Sequence, residues 1–139
     1  MDCPCGSGGA YAACCEPVIS GERPAATAEA LMRARYTAYT RAAMDFLQET
    51  LHPDKRAEHD PARAREWAEH SEWHDLEVIA VEAGGPDDEA GTVEFVASYT
   101  YDGDFQHYHE VAEFSRLEGR WYFRGGEAGT RRPVVREEP

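Results

Sequence analysis

Long apolar runs are missing from this sequence. Nothing in it approaches the roughly 20 residues that a membrane-spanning helix needs, and the opening Met-Asp-Cys-Pro-Cys has neither the basic patch nor the greasy stretch of a secretory signal. A cytoplasmic protein with no membrane contact is expected. Basic residues are scarce, 14 against 27 acidic ones, for a formal net charge of −13. Such a field repels phosphate backbones and argues against general nucleic-acid binding. Arg124, Arg131, Arg132 and Arg136 gather near the C-terminus, but Glu137 and Glu138 offset them. There is no Walker-type or dinucleotide-type glycine loop, because Gly6-Ser7-Gly8-Gly9 follows no strand, and there is no Ser-His-Asp elbow. His59, His70 and His74 lack a second ligand at a diagnostic spacing, which argues against a second metal site.

What is present fits one domain with a small appendage: 139 residues, 42% hydrophobic and 29% charged. All four cysteines, Cys3, Cys5, Cys14 and Cys15, crowd into the first residues. In a reducing cytoplasm such crowding reads as a metal site rather than as disulfides. Zinc takes four tetrahedral thiolates. Cys3-x-Cys5 supplies two from one tight loop, and Cys14-Cys15 supplies two more after a glycine-rich turn whose amides are expected to point at sulfur. An iron centre takes four thiolates as well, with zinc the default. A segment this short buries no core, so the metal should supply its folding energy, on the order of 10 kcal/mol.

The chain divides into a knuckle at 1–23, a domain at 24–130 and a tail at 131–139. Thr27 is a suitable N-cap for a helix over 27–42, in which Ala28, Leu31, Met32, Arg35, Tyr36 and Tyr39 recur at helical spacing. A second helix through Phe46 and Leu47 ends before Pro53, where a charged His52 would suit the helix C-terminus. Asp60-Pro61 opens a third helix carrying Trp67. After about Trp73 the period becomes two, with Leu76, Val78 and Ala80 alternating against Glu77, Ile79 and Val81. A half-buried strand from Val93 to Tyr101 follows, and Asp102-Gly103 and Glu118-Gly119 mark hairpin turns around a third strand. Helices followed by an antiparallel meander define an α+β fold.

The run Cys3-Pro4-Cys5-Gly6-Ser7-Gly8, with Tyr11 and Cys14-Cys15, resembles the SEC-C motif, a zinc-binding knuckle also found at the C-terminal end of the SecA translocation ATPase. Further segments resemble the YchJ family of uncharacterised bacterial proteins: Ala25 to Arg33, His52-Pro53, Gly91 to Phe95, His109-Glu110 and Gly119 to Phe123. This resemblance covers nearly the whole chain. It implies that the part after the knuckle is a nuclear-transport-factor-2-like cone, with helices packed on a strongly curved antiparallel sheet. Two departures bear on function. Ala12 and Ala13 stand where SEC-C knuckles that contact ribosomes or the SecB chaperone carry lysines, so this anionic knuckle is not expected to bind acidic SecB or ribosomal RNA. His109-Glu110-Val111-Ala112-Glu113-Phe114 lacks the family's two arginines, which weakens anion capture on that strand.

Cone relatives include isomerases and dehydratases with a carboxylate or Asp/His base in the cavity. In a regular third strand, Tyr108, Glu110, Ala112 and Phe114 share one face, and His107, His109 and Glu113 share the other. Glu110 is a candidate base if its face is inward, and His109 or His107 with Glu113 is the competing pair. Tyr36, Tyr39, Trp67, Tyr99, Tyr108 and Trp121 are candidates to line a ligand pocket, with Trp73 and Tyr101 nearby. The same spacings also suit plain core. The leading expectation is a zinc-binding accessory or adaptor protein whose knuckle presents a surface to a protein partner, with homodimerisation through the sheet an open option. The alternative is a small-molecule binder or isomerase-like or dehydratase-like enzyme working in the cone cavity.

Overall fold

The computed structural model describes residues 2–128; the expected tail at 131–139 lies outside them. A 3-10 turn at Tyr11–Ala13 and a short helix α1, Glu16–Ile19, come first. Thr27 then caps helix α2, Ala28–Thr40, its side chain accepting the Ala30 amide at 3.0 Å. Ala28, Ala34 and Ala38 on the buried face of α2 are small enough to bring its backbone close to its neighbours. Helix α3, Met44–Glu49, stops before Pro53, which opens a second 3-10 turn, Pro53–Glu58, that the sequence reading did not contain. His52 accounts for this turn. Its buried Nδ1 accepts the Asp54 amide at 3.1 Å, so it caps the turn that follows it. Asp60 accepts the amides of Ala62 and Arg63 and starts helix α4, Pro61–His70.

Helix α4 runs directly into strand β1, Ser71–Ala83, which begins slightly ahead of the expected change of period. Strands β2, Ala90–Tyr101, β3, Asp104–Leu117, and β4, Arg120–Ala128, continue an antiparallel meander in the order β1-β2-β3-β4. At both tight turns the two central residues have positive φ: 49° and 89° at Asp102-Gly103, and 53° and 83° at Glu118-Gly119.

The simple alternation expected for β1 does not hold. Trp73 pairs with Tyr99 but Asp75 with Ser98, and Val78 pairs with Phe95 but Ala80 with Glu94. His74 and Ile79 are therefore the extra residues of two bulges. Each bulge flips the alternation once, so the inner face reads Trp73, Leu76, Val78, Val81 and excludes Ala80. Bulges also bend a sheet. Helix α2 accordingly touches β1, β2 and β4, meeting the first and last strands of one sheet that curves around it. This is the expected cone. The end of α3 is tied to β4 by two backbone bonds of 2.8 Å, Phe123 N–H to the Thr50 carbonyl and His52 N–H to the Phe123 carbonyl. Cys3, Cys5 and Cys15 join the same hydrophobic cluster as Leu31, Ala34, Ala38 and Leu76, so knuckle and cone share one core.

Candidate metal centre and cone cavity

The four cysteine sulfurs lie within 4.8 Å of one another. Cys5 Sγ is 3.7 Å from Cys14 Sγ, which is 3.9 Å from Cys15 Sγ. A tetrahedron with metal–sulfur bonds of about 2.3 Å has edges of about 3.8 Å, so the spacing fits one four-coordinate ion. The donor set is sulfur alone, which suits thiophilic metals, and four thiolates leave no position for a substrate.

The glycine amides brace the loop rather than reach sulfur: Gly6 N–H donates to the Cys3 carbonyl and Gly9 N–H to Ser7 Oγ, both at 3.2 Å. The groups that do reach sulfur are the Ser7 backbone amide, at Cys5, and two side chains. Ser7 Oγ lies 3.2 Å from Cys14 Sγ, and Thr37 Oγ1 donates to Cys15 Sγ at 3.4 Å and lies 3.8 Å from Cys3 Sγ. Arg33 Nη1 donates to the Cys5 carbonyl at 2.7 Å, while its Nε is held by Glu29 at 3.0 Å. Thr37 and Arg33 belong to α2, so the cone supplies part of the metal site's outer shell. Neither was singled out from the sequence. The available signal was a hydroxyl between Ala34 and Ala38 on an otherwise apolar face.

Electrostatics separate Cys5 from Cys14 and Cys15. The hydrogen bond from Cys15 lowers Cys5 to about 4, with Ser7 assisting against burial. The same bond, then burial, raises Cys15, and burial raises Cys14. A divalent cation that displaces the remaining protons converts all four into ligands, which makes metal uptake proton-releasing. Thr37→Val keeps the shape of this position and removes the sulfur-directed donor. The expected result is roughly 10–100-fold weaker metal binding in a folded protein, measured by competition with a chromogenic chelator.

A cavity of about 110 Å³ opens between α2, α4 and the concave face of the sheet. Tyr36, Tyr39, Trp67 and Tyr108 line it as expected, joined by Trp73, Phe95, Phe123 and the unexpected Arg35. Two expected members do not. Tyr99 packs edge-on against Trp67 and tilted against Trp73, at centroid distances of 5.7 and 5.0 Å, and lines a separate surface cleft with Tyr101. Trp121 sits one residue past the last hairpin turn, too far toward the sheet end, and lines another crevice with Leu31 and Phe46. His109 is also misplaced as a base for the cavity. It points to the opposite face, where its Nε2 lies 2.8 Å from Glu94 Oε2 across the β2–β3 ladder, and Glu113 is exposed instead of paired with it. His107 bonds Ser98 on that same face, at 3.1 Å.

Glu110 is inward and buried, and its Oε2 accepts the Tyr108 hydroxyl at 2.7 Å. Gly126 makes room for it, since a Cβ there would lie 2.8 Å from the carboxylate stem. Burial raises the Glu110 pKa against the lowering effects of Tyr108 and Arg35. The folded state thus holds this proton to higher pH than the unfolded chain, and stability is lost as pH rises from about 4.5 through the raised value. Glu110→Gln keeps the acceptor for Tyr108 and cannot ionise. Urea unfolding should find it less pH-sensitive than the wild type and at least as stable at neutral pH, the difference closing toward acid.

An all-cysteine knuckle seated on the central helix of a helix-filled antiparallel cone defines the class: a four-cysteine module able to hold a metal ion, joined to a nuclear-transport-factor-2-like domain. The model of the YchJ middle NTF2-like domain matches residues 27–126, and that of the SEC-C motif matches residues 2–17. The chain belongs to the YchJ family, also designated UPF0225. It is 49% identical over 133 residues to a UPF0225 protein of Geobacter sulfurreducens, covering 96% of this chain and 83% of that one. A UPF0225 protein of Chromobacterium violaceum is 44% identical over 125 residues, covering 89% and 90%. Among solved structures, a SEC-C motif containing protein from Rhodopseudomonas palustris superposes with a TM-score of 0.85 at 41% identity, over 94% of this chain and all of that one. A SEC-C motif containing protein from Psychrobacter arcticus gives 0.77 at 26% identity, over 94% and 84%. Among the described residues no helix is long and apolar enough to cross a membrane.

Proposed function

We propose that this protein is a zinc-binding accessory protein of the cytoplasm whose knuckle presents a preformed loop to a protein partner. The observation that carries the reading is the two-sided character of the knuckle. Cys3, Cys5 and Cys15 are buried against α2, while Gly6 to Ala10, Ala12 and Ala13 are exposed. A fully ligated zinc on the buried side is structural, and the exposed side is held in one shape, which lowers the ordering cost of recognition. The shortage of basic residues favours a protein over nucleic acid as the occupant.

The test pairs metal content with partner capture, using protein purified without chelator. Zinc at one equivalent per chain is expected, with a specific partner recovered from extract by the wild type. Ala12→Arg changes only the exposed side, so it should keep the zinc and lose the partner. Protein without zinc refutes the metal assignment. A partner retained by Ala12→Arg refutes the knuckle surface.

A further inference from the structure

The cone cavity contains a charge that the knuckle does not use. Arg35 is only 8% exposed and lines the cavity. Its Nη1 donates to the Leu47 carbonyl at 2.8 Å and to Thr50 Oγ1 at 2.6 Å, and its Cζ lies 4.5 Å from the Phe123 ring centroid. These contacts lock the guanidinium in place. They leave Nε and Nη2 with no protein acceptor among the described residues, and no carboxylate there pairs with Arg35 at ion-pair distance. The Nε/Nη2 edge is the fork that takes a carboxylate bidentately. Around it the walls are flat: Trp67 lies 5.1 Å from Tyr39, 5.2 Å from Tyr108 and 5.5 Å from Trp73, centroid to centroid.

We propose that the cone cavity binds a small planar carboxylate, its acid group gripped by the free edge of Arg35 and its ring held among Tyr39, Trp67 and Trp73. A desolvated guanidinium is costly without a counter-ion, and the arriving carboxylate supplies one. Aromatic walls select a flat body, because ring faces and edges gain from offset or edge-on contact. The site is distinct from the knuckle surface and does not depend on it.

Glu110 makes the binding proton-linked. Its charge repels a second carboxylate in the same cavity, so the complex favours protonated Glu110 and affinity rises as pH falls. The groups facing Glu110 are Arg35 and Tyr39 from α2 and Tyr108 from its own strand. Phe95, opposite on β2, and Gly126 on β4 add no charge.

Trp67 and Trp73 make tryptophan fluorescence the readout. The metal-loaded full-length protein is titrated with benzoate and with its neutral isosteres benzamide and benzyl alcohol, at about pH 6 and about pH 8. Benzoate is expected to bind at least about 10-fold more tightly than either isostere at the lower pH, and to weaken at the higher one. Glu110→Gln should keep benzoate binding and flatten its pH dependence, and Arg35→Gln should abolish the preference for benzoate. If Arg35→Gln does not fold, the isostere series and Glu110→Gln decide the matter. Equal affinity for benzoate and benzamide, or no response to any of the three, overturns the proposal.

Discussion

Chelating the metal, or replacing Cys15 with serine, is expected to lower the stability of the cone along with that of the knuckle. The reason is the position of the sulfurs. Cys15 is 2% exposed and Cys5 is fully buried, both in one cluster with Ala34, Ala38 and Leu76, and Thr37 of α2 bonds to Cys15. A knuckle that loses its metal loses the ion that ties its four sulfurs together, and with it the hold of its two loops on the face of α2 that they seal. Structural zinc contributes on the order of 10 kcal/mol in short peptides. If only about 3 kcal/mol of this reaches the cone, the melting temperature falls by roughly 10 °C for a chain of this length. The measurement is a near-ultraviolet melt, which follows the aromatic cluster around Trp73 rather than the knuckle. A cone transition unmoved by chelator would mean that the knuckle folds and unfolds alone.

Gly91→Ala should cost about 3 kcal/mol, at the upper end of overpacking effects, although it adds a single methyl group. A Cβ at Gly91 would lie 2.5 Å from both Cα and N of Gly84 and 2.9 Å from the Ala83 carbonyl carbon. All are backbone atoms at the end of β1 and the start of the turn that follows it. Gly84 has no room to retreat, because its own Cβ position is 2.8 Å from the Ala28 side chain and its carbonyl accepts the Ala28 amide at 2.9 Å. The added methyl therefore pushes the β1–β2 turn against the start of α2, and through it the helix that lines the cavity. Gly103→Ala is the control. It sits at φ 89° with nothing within 4 Å of the added carbon, so it bears only left-handed strain of about 1 kcal/mol. Urea midpoints should separate the two variants clearly, and equal losses would show that the β1–β2 turn shifts freely.

Several features of this protein follow from short-range chemistry, and these were legible without a structure. A threonine or aspartate oxygen caps a helix wherever the next amides are free, hence Thr27 and Asp60. Asp102-Gly103 and Glu118-Gly119 accept the positive φ that a tight hairpin needs. Period two in β3 placed Glu110 beside Tyr108, and they are hydrogen-bonded. Four cysteines in one short segment bring their sulfurs within 4.8 Å of one another, close enough to hold a metal ion. In each case the interacting groups are neighbours in the chain.

Which distant residues meet could not be read this way. The bulges at His74 and Ile79 re-aim β1, and nothing in the local pattern marks them. Strand period alone puts His109 on one face with Glu113, yet register delivers Glu94 from the adjacent strand at 2.8 Å. Trp121 has the chemistry of a cavity wall, but its distance along β4 takes it elsewhere. Arg35 stands in the apolar stripe of α2, and only the curved sheet closing over that helix makes it line a cavity. The sequence by itself determined the main helices and strands, the caps at Thr27 and Asp60, the two tight hairpin turns and the clustering of the four cysteines, because those depend on residues within a few positions of one another. Tertiary structure alone decided that Thr37 joins the sulfurs and that Arg35 and Glu110 line one cavity, because register and curvature set contacts between residues far apart in the chain.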